Sequence, residues 1–434
     1  MGRTIGILAG GGQLPALIAD SVIDAGGAVH IVGLKGEADA GIERFPHTWA
    51  NWGEVGLMLD TLRDKGGGEV VIAGTVSRPD LFKIRPDLGF FRLLPELLRM
   101  LRGGDDSVLR RVVRLLERRG LTVLGAHEVA PALLAGAGQL GARALDAQGR
   151  ADAVLGFAVR QALGSLDAGQ AVAVADGVVL AIEGAEGTDR MLGRIRALAR
   201  GRQGEAGRGI LAKGPKPGQE LRVDMPVIGM RTIDGIREAG LAGVALEAGG
   251  VLLLDREPMI RKADAGQCAL VAFDAKDLRA AAGAWLDPPW PAAPGPAVTS
   301  GRVRPAPRHG VDIDKGLKAV MRLQRLGTGR SVVVARAFIL AVEAAEGIVA
   351  TLRRIGQLRQ WGLGGRRAGV LAVRAAAGDG LAAEEVLGEA ARQGLAGVAV
   401  VGEAGALHGW REATATADGL GLFLLVHAVA EEGA

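Results

Sequence analysis

One stretch of this sequence occurs twice, and a loop inside it occurs once. Residues 170–187 read QAVAVADGVVLAIEGAEG, and residues 330–347 read RSVVVARAFILAVEAAEG. Extended by one residue each, the blocks share nine identities in 19 aligned pairs. The offset between the copies stays at 160 through Leu211 and Leu371, then becomes 154 where LAGVA at 241–245 returns at 395–399. Six residues are therefore missing from the second copy between those points. In the first copy that interval holds KGPKPGQELRVDMP, residues 213–226; residues 373–380 of the second contain no Lys, no Pro and no acid-Met-Pro step. Scaffold positions interchange by volume, whereas chemistry does not, so chemistry is expected in the unrepeated loop.

A chain of 434 residues has room for several domains, each with its own core. Residues 3–130 alternate short apolar runs with amphipathic stretches, which predicts strands at 4–9, 28–34, 70–74 and 122–125 and helices at 14–25, 55–65 and 107–119. Alternation of that kind builds βαβ units on a parallel sheet, with the ligand crevice at the carboxyl ends of the strands. The expected organisation is a parallel-sheet domain at 1–135, a second α/β domain at 150–283, a Pro-rich linker at 284–303 and a diverged duplicate of the second domain at 304–434. Strands of the second domain are expected at 171–175, 177–183, 209–213, 243–247, 251–254 and 269–273.

The net charge of +4 comes from interspersed Lys/Arg and Asp/Glu, which argues against a nucleic-acid partner. Cys268 is the only cysteine, so no internal disulfide or thiolate cluster is available; within QCALVAF it reads as a small buried hydrophobe. Asp176, Asp255 and Arg336 interrupt the longest apolar runs, and the early apolar run is too short for a signal peptide. A soluble, cytoplasmic protein is expected, with peripheral membrane contact and a homodimer as further expectations.

Several short motifs carry candidate chemistry. Gly10, Gly11, Gly12 and Gln13 follow the first strand and open a helix, where backbone N–H groups suit a phosphate or nucleotide; a tight βα turn is the plain alternative. The dinucleotide fingerprint fails, because Pro15 takes its third glycine position. Thr75, Ser77 and Arg78 end another strand facing the same crevice, where a capped turn explains them equally well. Of Asp105 and Asp106, one is expected as a helix N-cap and Asp106 as a ligand contact. The apolar run 90–101 reads as core, dimer interface or acyl groove. Glu183, Glu186 and Thr188 close a strand and enter a helix; Glu343 and Glu346 survive in the second copy, so capping is an alternative role.

In the unrepeated loop, Lys213, Lys216 and Arg222 supply cations, Gln219 a carboxamide and Asp224 one acid among apolar neighbours. Cations beside one acid suit an anionic ligand, with the acid holding a metal or activating water; a solvated basic hairpin is the alternative. The six histidines show no zinc spacing, and neither a phosphate-binding P-loop nor a serine-hydrolase elbow is present.

The runs LAGGGQLP, GDDSVLR, LGAHEVAP, VADGVVLAIEGAEGTD, KGPKPGQELRVDMPVIG and LAGVALEAGGVLLLDRE with its following RKAD occur in this order from residue 3 to about 275. Together they resemble the UDP-2,3-diacylglucosamine pyrophosphatase family of lipid A biosynthesis. The resemblance implies a Rossmann-like N-terminal domain and a C-terminal domain enclosing the substrate. It implies hydrolysis of UDP-2,3-diacylglucosamine to UMP and 2,3-diacylglucosamine 1-phosphate, assisted by Mg2+ or another divalent cation. It puts the catalytic, metal-holding aspartate on Asp224, with Lys213 beside it, and leaves residues 304–434 outside the pattern. Two other readings stay open: a different sugar-nucleotide or phosphate-ester enzyme on the same scaffold, and a non-catalytic lipid- or nucleotide-binding module.

Overall fold

The computed structural model describes residues 2–76, 87, 90, 105–199, 207–286, 294–297, 299–358, 367–378 and 382–429. The chain forms two compact units. The first gathers Met1–Gly136, Gly218–Met230 and Ala248–Met259; the second gathers Ala137–Pro217, Arg231–Glu247 and Ile260–Ala434. Two segments that follow the repeat's first strands in sequence therefore fold into the N-terminal unit.

The first unit is built on five parallel strands, β1 (Thr4–Ala9), β2 (Ala28–Leu34), β3 (His47–Ala50), β4 (Glu69–Ala73) and β5 (Thr122–Leu124), in the order β3-β2-β1-β4-β5. Ile5, Ile7, Ala9, Val29, Ile31, Val71 and Ala73 fill a core on one face, joined by Ile18, Ala19 and Val22 of the helix Leu14–Asp24. Val32, Leu34, Val70 and Val123 fill a core on the other face with Met58, Leu62, Val113 and Leu116. Burial of both faces explains the nearly continuous apolar strands, as parallel sheets require. Direction along the sheet reverses between β1 and β4, the usual place for a ligand in such folds. Met225, Val227 and Leu252 pack onto the face that holds Ile7 and Ala9, which is the physical reason their segments belong to this unit.

The second unit starts with β6 (Gly138–Gln139), β7 (Ala171–Ala175), β8 (Val178–Ile182) and β9 (Ile210–Lys213). The chain then forms β10 (Val227–Ile228) within the first unit, returns as β11 (Gly243–Glu247), forms β12 (Leu252–Leu253) in the first unit, and returns as β13 (Ala269–Phe273). β10 and β12 pair in parallel as a separate ribbon, so the apolar run at 251–254 is not a strand of the second sheet as its sequence position suggests. The second sheet runs β6-β13-β11-β9-β7-β8.

The third sheet consists of β14 (Thr299–Ser300), β15 (Ser331–Ala335), β16 (Phe338–Val342), β17 (Val370–Arg374), β18 (Gly397–Gly402) and β19 (Phe423–Ala428), ordered β14-β19-β18-β17-β15-β16. It matches the second sheet strand for strand, in pairing direction and in a register shift at Ala173/Val174 and Val333/Val334. Local devices repeat as well. In each copy a helix glycine admits the sheet: a Cβ on Gly156 would lie 2.6 Å from that of Ala212, and one on Gly316 2.7 Å from that of Ala372. In each, one buried aspartate accepts both amides of the hairpin turn, Asp152 from Asp176 and Gly177 at 3.0 and 2.8 Å, and Asp312 from Arg336 and Ala337 at 3.1 and 2.6 Å.

That second turn places Arg336 at φ 52° and Ala337 at φ 66°, a conformation that costs an L-residue about 1–2 kcal/mol. We predict that Ala337→Gly raises the thermal midpoint, by about 1 kcal/mol of stability. A lowered midpoint in a melting experiment would count against the left-handed turn.

Candidate functional site

In the first unit, the candidate residues collect along the carboxyl edge of the parallel sheet. The amide of Gly11 donates to the Thr75 carbonyl at 2.7 Å and the Thr75 amide to the Gly11 carbonyl at 2.9 Å, stitching the loops after β1 and β4. Gly74 at φ +94° lies against Gly10 and Gly11 so closely that any Cβ would strike their backbone. Thr75 and Gln13 are exposed at this edge. The Gly12 amide donates to the Asp39 carboxylate at 2.6 Å. Sequence reasoning missed Asp39, which lies five residues past β2 without a motif around it. Its negative charge beside the glycine loop favours a hydroxyl or N–H ligand group at Gly12 over a bare phosphate.

The segment Gly218–Met230 reaches the same edge, where the Cα of Arg222 packs against Gly125 just past β5. Asp224 is half-buried, and its Oδ2 accepts from Gln219 Nε2 at 2.7 Å. Arg222 does not stand open: its guanidinium grips both carboxylate oxygens of Glu220 at 2.7 and 2.8 Å and donates to Glu117 at 2.8 Å. Those bonds hold the Arg222 pKa above its ordinary value and the Glu220 carboxyl below its own. Asp105 and Asp106 lie in the helix Asp105–Arg118, whose described part begins at Asp105. Ser77, Arg78 and, apart from Phe90, the run 90–101 lie outside the described residues.

In the second unit, Lys213 ends β9 as a buried residue, 6% exposed. Its Nζ donates to Thr188 Oγ1 at 3.0 Å, and that hydroxyl donates to Glu183 Oε1 at 3.3 Å. Glu183 Oε2 accepts the Gln170 amide at 2.9 Å. Burial pushes the Glu183 carboxyl up, with Lys213 opposing, and burial pushes the Lys213 ammonium down, with Glu183 opposing. Three of the expected residues thus form one group. Glu186 is instead held by Arg194 and Arg354, and Lys216 by Asp167 at 2.5 Å.

Arg160 and Glu247 join the site although no motif marks them. The Arg160 guanidinium, 3% exposed, pairs with Glu247 and donates to the Pro215 carbonyl, fixing the path of the loop that follows Lys213. The signal was available in the repeat: Arg160 aligns with Val320, Lys213 with Val373 and Glu247 with Val401. All three valines are fully buried. A buried charge is costly where an apolar residue fits, and the second copy shows that valine fits. Its Glu343 lacks a lysine counterpart and is pushed up by burial, with Ser331 and Arg330 opposing.

The unrepeated loop also has a structural role: its residues 218–226 belong to the segment that folds into the first unit. Among the described residues, no group of three His, Cys, Asp or Glu side chains is arranged to hold a metal. No helix among them is long and apolar enough to cross a membrane. Cys268 is buried, with its thiol pushed up to about 11 by burial, as befits a core residue.

A switch-point parallel sheet carrying an acid-bearing insert, joined to a second α/β unit with a buried lysine group, defines a two-unit α/β protein with polar groups suited to a nucleotide-like ligand. Residues 4–133 match the LpxI N-terminal domain, and residues 136–271 and 296–380 match the LpxI C-terminal domain. The chain belongs to the LpxI family. The match at 296–380 extends the likeness into the region that the sequence runs had left outside. The protein named UDP-2,3-diacylglucosamine pyrophosphatase LpxI from Caulobacter vibrioides is 42% identical over 264 residues, covering 60% of this chain and 94% of that relative.

With Lys213 removed, the raised Glu183 carboxyl loses its opposing ammonium. Its folded-state pKa then lies still further above the unfolded value, so the stability it contributes is present at low pH and lost as pH rises through the folded value. We predict that Lys213→Met melts lower at about pH 8 than at about pH 5 by more than the wild type does. Parallel pH curves for the two proteins would contradict the buried pairing.

Proposed function

We propose that this chain hydrolyses the pyrophosphate bond of UDP-2,3-diacylglucosamine to UMP and 2,3-diacylglucosamine 1-phosphate, a step of lipid A biosynthesis. The name of its relative from Caulobacter vibrioides supports the substrate and the bond. The observation that carries the reading is the half-buried Asp224 carboxylate, oriented by Gln219 within the one loop the duplicate lacks.

In the reaction, water adds to one phosphorus, the bridging P–O bond breaks, and the bridging oxygen leaves on the other phosphate. The Gln219 carboxamide fixes one oxygen of Asp224, leaving the other to orient water and accept its proton. Magnesium takes one or two carboxylates together with phosphate oxygens and water. Asp224 offers one such carboxylate, and Glu220 is already committed to Arg222. Asp224 would be the residue to hold such a cation. When bound, magnesium neutralises charge developing on the phosphates.

The exposed Thr75, Gln13 and the Gly10–Gly12 loop bind the uridine, with Asp39 accepting from a ribose hydroxyl or the uracil N–H. Lys213, Thr188 and Glu183 serve the reaction as one polar group, and Arg160 holds the loop carrying Lys216 in place. A diacylated substrate resides in a membrane, so peripheral membrane contact belongs to the proposal.

Asp224→Asn is expected to lower UMP release from UDP-2,3-diacylglucosamine by about 10²- to 10⁴-fold while leaving the melting temperature unchanged. Wild-type turnover in that variant would exclude Asp224 from the chemistry, and wild-type protein that releases no UMP would point to a different phosphate ester.

A further inference from the structure

The two copies in the second unit meet through contacts that come in exchanged pairs. The Ala185 amide donates to the Leu340 carbonyl at 3.1 Å, and the Ala345 amide to the Leu180 carbonyl at 3.4 Å. Both pairs are related by the repeat offset of 160. Arg194 meets Glu186 at 2.6 Å and Glu346 at 2.9 Å; Arg354 meets Glu186 at 2.9 Å and Glu346 at 3.2 Å. Arg194 also donates to the Ile182 carbonyl at 3.1 Å and Arg354 to the Val342 carbonyl at 2.7 Å. The four side chains are largely buried, and beneath them Val159, Leu163 and Val172 share one core with Ala319, Leu323 and Val332. Reciprocal contact, in which i meets j and j meets i, is the mark of a two-fold interface between like partners. Here both partners are stretches of one chain.

The relative from Caulobacter vibrioides is aligned over 264 residues, 94% of its length, and so has about 280 residues (264/0.94), too few for a second copy of this domain. The second copy has also discarded buried charge: Val320, Val373 and Val401 stand where the first copy has Arg160, Lys213 and Glu247. Yet it keeps Arg354 and Glu346, the two residues it contributes to the ionic contact.

We propose that residues 304–434 act as a built-in partner, filling on the first copy the surface that a second copy of the same domain would fill, and that Arg354 is a positioning residue for the Lys213–Thr188–Glu183 group. Glu186 lies in the short turn between Glu183 and Thr188. By holding Glu186, the Arg354 guanidinium fixes that turn and hence the two partners of Lys213. The second chain of a homodimer is thereby supplied in cis. The positioning role rests on the hydrolase reading; the built-in partnership does not.

A protease recognition sequence placed between Ala292 and Ala293 of the full-length chain allows the two copies to be severed after folding. The severed parts are expected to migrate together on size exclusion; parts that separate in native buffer overturn the built-in partnership whatever the enzyme's substrate. Arg354→Met is expected to lower kcat for UMP release by about tenfold to a hundredfold, with KM and far-ultraviolet circular dichroism little changed, and Arg354→Lys to recover part of that loss. The exposed Arg353→Met serves as a control with unchanged turnover. A fall in melting temperature with wild-type kcat in both Arg354 variants would reduce Arg354 to a structural residue and overturn the positioning role. Should Arg354→Met fail to fold, Arg354→Lys with wild-type kcat does the same.

Discussion

The second unit depends on a core that neither copy completes alone. Val159, Leu163, Val172 and Val174 of the first copy and Val320, Leu323, Val332 and Val334 of the second belong to one buried cluster. Apolar faces of this kind specify contact but hardly specify register, because dispersion is non-directional. Register comes from the exchanged backbone bonds and from the Arg194–Glu186–Arg354–Glu346 ring above the core. Removing one member of such a ring strands a buried charge at a cost of about 3–5 kcal/mol, so slippage of one copy past the other is strongly opposed.

Two chemically different settings follow from the way the chain is distributed. The first unit offers an exposed, largely backbone-lined edge, with Asp224, Gln219 and Thr75 near the ends of parallel strands. The second offers a dry polar group, in which Lys213, Thr188 and Glu183 satisfy one another. Desolvation sharpens every interaction in the second setting, whereas solvent moderates those in the first.

Much of the architecture was legible in the sequence because periodicity reports burial. β1, β2, β7, β11 and β13 fall on their expected bounds, since each is an apolar run closed by Gly, Asp, Lys or, in β11, Glu. β3 was not legible: His47, Thr48 and Trp49 lack an aliphatic run, and the strand forms because its edge position pairs it with β2. The helix Ala147–Gly164 was not among the expected elements, because its Gly149 and Gly156 look like loop residues; Gly156 is there to let the sheet approach. Of the candidate residues, Lys213, Glu183 and Thr188 came together as a group. Lys216 was legible as a cation but not as one already paired, because Asp167 is distant in sequence; Arg222 has a distant partner in Glu117, but its pairing with the neighbouring Glu220 could have been read. Arg160 and Glu247 could have been found by asking which charges the repeat replaces with valine.

The interleaving of the two units has a consequence for the order in which the molecule is made. Residues 1–136 leave the ribosome first, yet their sheet still lacks Met225, Val227 and Leu252 on one face. That face stays incompletely covered until synthesis has passed residue 259, by which time β7, β8, β9 and β11 have also emerged. Vectorial folding from the N-terminus, the common habit of multidomain chains, is therefore only provisional here. The nascent N-terminal sheet has to wait, partly wet, for strips of polypeptide that arrive threaded between strands of its successor, which makes translation pauses before residue 259 the vulnerable interval in its biogenesis.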